Sequence, residues 1–403
     1  MKEKGSVFSG AKNRRSFLKS SMVAAGAATM GAAMLPGTSS AFGREDDDHD
    51  RSPLTKGDIA ILTFLSALEQ VEADLWIQYA ELGGATNQGL SPIDLSLNNK
   101  PITTGLAPNY ITALQVLDGD MPQYIADNTD DEISHHRFLN NYLKSKGADP
   151  VDLSEFAILP PSQVSGVPTH SRLTNLKQLT IDTSWWTRLR SATQNPDLGG
   201  KKFENVIPDL AKAPHTAIPL DDNDLALDKG QISTHLQAIA STAGFHFAFI
   251  EQGGSSLYPA LAQKVTNLEV LRVLLSIGAS EIMHFQTWHD KAGNAPPLTD
   301  GNLTFPPFDG SVDPNTRSAV QPQTANAFQA NLIMPEPTVF LNPSLGPVSI
   351  LRPTSDAQGG AVASVVSFVE DGLFLLPGTN QNTGIVNVLM RLAEAADAAR
   401  RSF

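Results

Sequence analysis

A Glu-x-x-His pair that occurs twice is the feature that most constrains this 403-residue chain. The stretch DDEISHH contains Glu132 and His135, and ASEIMHF contains Glu281 and His284. A spacing of three residues puts both side chains of a pair on one face of an α-helix. Each pair also lies on a row of apolar residues at helical spacing, which predicts that this face is buried. One pair alone is usually a solvated ion pair, but two pairs on apolar rows predict a shared buried site.

Two further helical stretches carry Glu on their apolar rows. Residues 58–82 contain neither Pro nor Gly, and Glu69 and Glu72 lie between Leu62 and Trp76 on their row, with Glu69 favoured as the ligand. In residues 230–265, Glu251 follows Phe247 on the row. The order along the chain is therefore Glu, Glu-x-x-His, Glu, Glu-x-x-His, which is the ligand order of di-iron and di-manganese carboxylate bundles.

Cations are needed if these carboxylates are buried. Removing a carboxylate from water costs several kcal/mol, and two divalent ions would compensate four of them. We therefore predict a site for two iron or manganese ions, although Glu and His ligands also suit zinc. Glu72, one turn after Glu69, is left open as an alternative or additional ligand. The predicted ligands are Glu69, Glu132, His135, Glu251, Glu281 and His284.

Other polar and aromatic residues near the rows have weaker claims to the site. Three histidines fall off the rows, and we expect them at the surface or in the core, with a hydrogen bond to a ligand as the alternative. Four aromatic residues lie about one turn further along the rows, and we expect them in the core, with a redox role as the alternative. The histidines are His136, His246 and His289, and the aromatic residues are Trp76, Tyr79, Tyr142 and Trp288.

Spacing along the chain gives a second test of the site. Glu251 and Glu281 are 30 residues apart, and Thr266 lies midway between them. Thr266-Asn267-Leu268-Glu269 has the form of a capping box that opens a helix. Two antiparallel helices joined at Thr266 would therefore place Glu251 and Glu281 opposite each other.

The predicted fold is an all-α core formed by an antiparallel four-helix bundle over residues 58–292. The first helix covers 58–82, and the second covers 109–146 and bends or restarts at Pro122. The third covers 230–265, where Gly253, Gly254 and Pro259 put its second half in doubt, and the fourth covers 266–292. Residues 148–229 form a long irregular insertion with a hairpin or short helices. Residues 293–403 form a mixed extension that ends in a helix.

The N-terminus resembles an export signal. Asn13-Arg14-Arg15-Ser16-Phe17-Leu18-Lys19 looks like a twin-arginine signal, and a weakly apolar Ala- and Gly-rich run follows it. That run is too short to span a membrane, so we expect cleavage after Ala41 and no membrane span in the mature protein. We expect the twin-arginine export machinery as a partner, and a periplasmic, cell-surface or extracellular location. Residues 44–57 are then an acidic linker.

Composition excludes several classes of partner. Removing residues 1–43 takes away six basic side chains and one acidic one, and moves the formal net charge from -13 to -18. Such an acidic protein is repelled by nucleic acid and by anionic membrane surfaces. The chain has no cysteine, so neither a disulfide nor a thiolate ligand is available to it.

Residues 58–292 resemble the ferritin-like superfamily through the Glu and Glu-x-x-His order. More narrowly, HFAFIEQGGSSLYPAL, IGASEIMHFQTWHDKAG, NLIMPEP and SILRPTS resemble exported or stress-induced ferritin-like proteins of bacteria and fungi that are related to plant desiccation proteins. The resemblance implies a four-helix fold and one of several activities: iron oxidation and storage, oxygen or peroxide chemistry, or manganese catalase.

Two hypotheses follow from the resemblance. In the first, the chain is an exported di-metal oxidoreductase that acts on O2 or peroxide in stress protection. In the second, the bundle is the scaffold of a stress-related envelope protein with no turnover. Storage in a cage is disfavoured, because the 82-residue insertion and the long extension would obstruct a ferritin-type assembly. A smaller homo-oligomer is left open.

Overall fold

A computed structural model describes residues 54–86, 102–190, 203–308, 337–350, 360–378 and 380–402. These residues belong to one compact unit, Ser52–Phe403. Several features of the sequence analysis lie outside the described residues. They are the predicted signal, most of the acidic linker, all of NLIMPEP except its last residue, and the part of SILRPTS that follows Ile350. Within the parts of the chain that are described, no helix is both long enough and apolar enough to cross a membrane.

Four long helices form an all-α bundle, as predicted. They are α1 (Lys56–Gly83), α3 (Met121–Ser145), α6 (Thr234–Ala262) and α7 (Leu268–Ala292). Polar side chains start three of them: Thr55 forms a capping box with Asp58 on α1, and Ser233 accepts a hydrogen bond from Leu236 N on α6. Asn267 caps α7, because its side chain accepts hydrogen bonds from the backbone N–H groups of Glu269 and Val270.

Hydrogen bonds between the helices define their directions. Ser66 of α1 bonds Asn140 of α3, and Thr129 of α3 bonds the carbonyl of Trp76, so α1 and α3 are antiparallel. Asp58, at the start of α1, accepts from Thr266 N at the start of α7 at 2.9 Å. Helices α1 and α7 are therefore parallel, and α6, which forms a hairpin with α7, runs against both. Because α3 and α6 are parallel, the chain between them must return along the bundle.

Shorter elements fill that return and the C-terminal extension. Two antiparallel ladders pair β1 with β2 and β3 with β4, and a third pairs β5 with β6. The shorter helices are α2 (Pro108–Leu114), α4 (Ser184–Arg190), α5 (Pro208–Lys212), α8 (Ala361–Glu370) and α9 (Thr383–Asp397), with 3-10 turns at Ser154–Phe156 and Pro343–Leu345. The strands are β1 (Leu227–Asp228), β2 (Gln231–Ile232), β3 (Leu298–Asp300), β4 (Leu303–Phe305), β5 (Thr338–Val339) and β6 (Pro347–Val348).

The insertion and the extension share the core of the bundle. Trp185 and Trp186 of α4 are buried against Phe245 of α6, with ring centroids 5.6 and 6.3 Å from it. Arg172 is fully buried and its Nη2 lies 2.5 Å from Glu81 Oε2 on α1. The apolar side chains of α8 and α9 belong to the same cluster of buried residues as those of the bundle. Both segments are thus integral parts of the folded unit.

The second helical region restarts at Met121, next to Pro122, as expected; it is two helices, because the chain turns between Leu114 and Met121. Two details differ from the sequence-based expectations. The cap of α7 is Asn267 and not Thr266, whose backbone N–H instead bonds Asp58. Helix α6 continues through Gly253, Gly254 and Pro259 without a break. Residues 173–181 of the insertion make an isolated bridge from Leu179 to His215 and pack into the core.

Candidate metal centre

All six predicted ligand side chains lie inside the bundle. Helix α1 contributes one Glu, α3 contributes a Glu-x-x-His pair, α6 contributes one Glu, and α7 contributes the second pair. Each position faces inward because it interrupts the apolar row of its helix, so burial of that row carries the polar residue with it. The buried set is Glu69, Glu132, His135, Glu251, Glu281 and His284.

Four of these side chains form one group around His135. Its Nδ1 atom lies 3.4 Å from Glu69 Oε2, 3.3 Å from Glu132 Oε2 and 3.1 Å from Glu281 Oε1. One ligand atom from each of the four residues falls within 4.8 Å of the others. This spacing allows a single metal ion to contact all four residues.

A second group surrounds His284. Its Nδ1 atom lies 3.0 Å from Glu132 Oε1 and 3.1 Å from Glu251 Oε2. One ligand atom from each of Glu132, Glu251, Glu281 and His284 again falls within 4.8 Å of the others. Glu251 and Glu281 therefore face each other, as their spacing along the chain predicted.

The two groups are adjacent and share Glu132 and Glu281. Glu132 turns Oε2 toward His135 and Oε1 toward His284, so its carboxylate spans both groups. The two imidazole rings have centroids 6.1 Å apart. The arrangement could hold two neighbouring cations, with two carboxylates shared between them.

The hydrogen bonding of the cluster is incomplete without a cation. His135 Nδ1 can donate at most one proton, yet three carboxylates lie within 3.4 Å of it. Among the described residues, no hydrogen bond of good geometry reaches Glu69 Oε2 or either oxygen of Glu281, although these atoms are buried. Buried carboxylate oxygens normally have a partner. The donor set therefore fits bound divalent metal ions.

Burial and crowding of like charges perturb the pKa values of the carboxyl groups. Burial raises the pKa of Glu69 to about 7, in opposition to His135. Burial and the neighbouring Glu132 raise the pKa of Glu281 well above its usual value, and burial also raises that of Glu251. Glu132 is the exception: burial opposes ionisation, but hydrogen bonds from His135 and His284 lower its pKa.

The pKa values of the two histidines are raised as well. Burial disfavours the charged imidazoles, but the surrounding carboxylates outweigh it and raise the pKa values of His135 and His284 well above normal. The metal-free cluster thus takes up protons on both its acids and its bases. Metal ions would displace those protons, because carboxylate and neutral imidazole are the ligand forms.

Glu72 belongs to neither group. It is buried one turn after Glu69 on α1, and the negative charges of the ligand carboxylates lie close enough to influence it. Burial and those charges, Glu69 first, raise its pKa well above the usual value. The structure brings Glu69, the carboxylate favoured from the sequence, into a group, whereas Glu72, which was left open, lines a small cavity beside it.

Three residues that contact the ligands were not singled out from the sequence. Asn128 Nδ2 donates to Glu132 Oε1 at 3.0 Å and to Glu251 Oε1 at 2.9 Å. Tyr258 donates its hydroxyl proton to Glu69. The signal was present for both, since Asn128 precedes Glu132 by four residues and Tyr258 follows Glu251 by seven on the same rows.

The third is Asp131, which has no periodic signal because it is half exposed. Its Oδ2 lies 3.0 Å from His284 Nε2. The other nitrogen of that ring faces the carboxylates, so Asp131 fixes the ring in the orientation of a metal-binding histidine. A carboxylate behind a histidine ligand is a common arrangement in metal sites.

The off-row histidines lie outside both groups. His246 Nδ1 is 2.7 Å from the hydroxyl of Tyr79, and His136 and His289 belong to neither group. Among the aromatic residues, Trp288 Nε1 donates to Asn128 Oδ1, and Trp288 stacks on Trp76 with centroids 5.2 Å apart. The two indole rings thus pack against each other beside the Asn128 amide.

Comparison with known proteins agrees with this geometry. The family model described as ferritin-like domain matches residues 57–293, which is more than half of the chain. No curated protein and no solved structure gave a significant match. The matched residues contain all four bundle helices and both Glu and His groups. This chain therefore belongs to the ferritin-like domain family.

Proposed function

We propose that the protein is an exported di-metal carboxylate protein that acts on O2 or peroxide in stress protection. The observation that carries the proposal is the pair of overlapping buried groups that share Glu132 and Glu281. Four carboxylates and two imidazoles point at one another with too few protons and donors to satisfy them. Two iron or manganese ions would supply the missing positive charge and the capacity to exchange electrons with oxygen species.

The residues of the chain have separable roles in this proposal. Glu132 and Glu281 would be ligands common to both ions, Glu69 and His135 would complete the set for one ion, and Glu251 and His284 would complete it for the other. Asn128 holds Glu132 and Glu251 at a fixed separation, and Asp131 orients His284. The buried rings of Trp76 and Trp288 exclude water from one side of the cluster. Disproportionation of two H2O2 to two H2O and one O2 needs no further reductant.

Metal content tests the first part of the proposal. Purified protein is expected to contain close to two iron or manganese ions per chain by elemental analysis. A His135→Ala, His284→Ala double variant is expected to lose them. His235→Ala is the matched control, because that partly exposed histidine pairs with Asp224 and Asp300 outside the cluster. Folded wild-type protein without any metal would refute the proposal.

Turnover tests the second part. Metal-loaded protein is expected to release O2 from H2O2, or to consume O2 when Fe(II) is added, and these two assays distinguish catalase from ferroxidase chemistry. The variants Glu132→Gln and Glu281→Gln should lose activity while they keep their helical circular dichroism. Metal-dependent melting without either activity would support the other hypothesis, a stress-related scaffold.

Export by the twin-arginine pathway is supported by the sequence motif at Arg14 and Arg15. That pathway carries folded proteins, which would let the metal ions be loaded before transport. Replacing both arginines by lysine is expected to leave the uncleaved precursor in the cytoplasm. Export of the double variant at the wild-type level would argue against this route.

A further inference from the structure

A small cavity, lined by apolar side chains and a few polar ones, lies directly beside the carboxylate cluster. Its volume is about 30 Å³, which is room for about two water molecules. Three separate parts of the chain line it: the bundle, the insertion and helix α8 of the extension. The polar and glycine positions around it are Glu72, Gly253, Gly254, Asp182, Ser364 and Ser367.

The inner end of the cavity reaches the ligands. Gly254 has no side chain, and a Cβ atom at that position would lie 2.5 Å from Glu281 Oε2. Gly254 thus lies against a shared carboxylate and also lines the cavity. A side chain at this position would collide with Glu281.

Glu72 supplies the second observation. Its side chain is only 3% exposed, and it lines the cavity. None of the described residues donates a hydrogen bond to its carboxylate. A buried carboxyl group without a protein partner is usually met by water or by a cation. At this position, the Glu72 carboxyl group can contact water or a cation inside the cavity.

The outer end of the cavity is formed by residues that solvent partly reaches. Ser364 and Ser367 on α8 and Asp182 in the insertion are half-buried. Helix α8 is held in place, because Asp397 accepts hydrogen bonds from Ala361 N and Val362 N at 3.0 and 2.9 Å. The part of the wall that α8 forms is therefore a fixed part of the fold, and it comes from residues beyond the family match.

We propose that this cavity is the entry route to the metal centre and that Glu72 binds an entering cation transiently before it reaches the cluster. The route admits only metal ions and reactants about the size of H2O2. The inference rests on the proposed function. It assigns a role to α8, whose serines form the outer wall, and it excludes bulky organic substrates from the site.

The test measures how fast a cation reaches the cluster. The full chain is stripped of metal with a chelator, Co²⁺ is added, and its visible absorption is followed over time. Ser367→Trp should slow Co²⁺ uptake at least tenfold and leave the final stoichiometry unchanged. Val366→Trp is the matched control, since that side chain is 40% exposed on the same helix and outside the cavity lining; its uptake rate should equal that of the wild type.

Glu72→Gln keeps the test decisive if the tryptophan disturbs packing. This isosteric change removes the carboxyl group that could bind an entering cation, and uptake should slow several-fold with the same final stoichiometry. Wild-type uptake rates in both Ser367→Trp and Glu72→Gln would overturn the route but not the metal site. Wild-type protein that never binds Co²⁺ would overturn the proposed function, and the route with it.

Discussion

Replacing Gly254 by alanine should affect the stability of helix α6 and the binding of metal in opposite directions. In a helix interior, Ala is favoured over Gly by about 0.5–1 kcal/mol. Here, however, the added Cβ would lie 2.5 Å from Glu281 Oε2, whereas ordinary contacts begin at 3.4 Å. The Glu281 carboxylate must therefore move by about 1 Å, several times the roughly 0.2 Å tolerance of a metal–ligand distance.

The expected result is a loss of metal affinity without a loss of fold. We expect the Kd for Co²⁺ to rise at least tenfold, comparable with the loss of a residue that supports a ligand. Urea unfolding of the metal-free variant should show unchanged or slightly increased stability, because Glu281 can move away at little cost when no ion holds it.

Gly253→Ala is the matched control for this experiment. It lies on the same helix turn, and a Cβ there would meet no atom within 4 Å. This variant should gain the helix contribution and keep the wild-type affinity for Co²⁺. Equal affinity in the two variants would refute the reasoning, since Glu281 would then not bind metal from the position described here.

Three further predictions follow from the site and its supports. Asn128→Leu should lower the free energy of unfolding by about 1–3 kcal/mol in urea titrations, because Trp288 Nε1 and two carboxylates lose their partner. Arg172→Leu should cost about 3–5 kcal/mol, because Glu81 stays buried without its cation; adding Glu81→Gln should recover part of that loss, and no recovery would contradict the pairing. Metal-free protein should lose stability as pH rises from 4.5 to 7. Native Glu69 has a pKa of about 7, so it holds a proton that the unfolded chain releases in this range. This group alone should lower the free energy of unfolding by about 3 kcal/mol over that range. The raised pKa values of His135 and His284 act in the same direction at higher pH, and saturating Co²⁺ should reverse the trend in thermal unfolding across the same pH range.

The buried Glu and His groups could be predicted from the sequence because their positions follow one helical period. Glu69, Glu132, Glu251 and Glu281 each replace an apolar residue on a row, and a row is a local property of the chain. Local spacing also predicted that Glu251 faces Glu281, even though the cap of α7 is Asn267 and not Thr266. An error of one residue at the turn shifts the register too little to separate the two carboxylates.

The expected break in α6 shows where local reasoning fails. Gly253, Gly254 and Pro259 normally weaken or end a helix, but here the helix is continuous. Tyr258 and Leu261, on either side of the proline, are buried, so tertiary packing outweighs the local preference. Gly254 is required for a different reason, since Glu281 occupies the space its side chain would need. The same glycine predicts a break from sequence and provides room for a ligand in the structure.

Contacts between distant parts of the chain were beyond prediction. The pair of Arg172 and Glu81 spans 91 residues, and the wall formed by Ser364 and Ser367 meets the bundle from outside the matched family region. No periodicity connects such positions, because each depends on how the insertion and the extension fold back. These segments looked irregular in sequence, yet both contribute residues to the lining of the cavity that we propose as the entry route.

Charge balance explains why Glu72 differs from the other buried glutamates. Two divalent ions carry the positive charge of four carboxylates, and Glu69, Glu132, Glu251 and Glu281 supply exactly that number within the two groups. Glu72 is a fifth, whose charge no ion in the groups would offset. Its raised pKa and its position in the cavity agree with a group that remains outside the ligand set.

This reasoning predicts that neutralising Glu72 costs less than neutralising any ligand. Glu72→Gln should retain close to two ions per chain by elemental analysis, because Glu72 belongs to neither group. Glu281→Gln removes a ligand common to both groups, so metal should be lost. If Glu72→Gln lost as much metal as Glu281→Gln, Glu72 would have to be counted as a ligand, and the separation between site and entry route would fail.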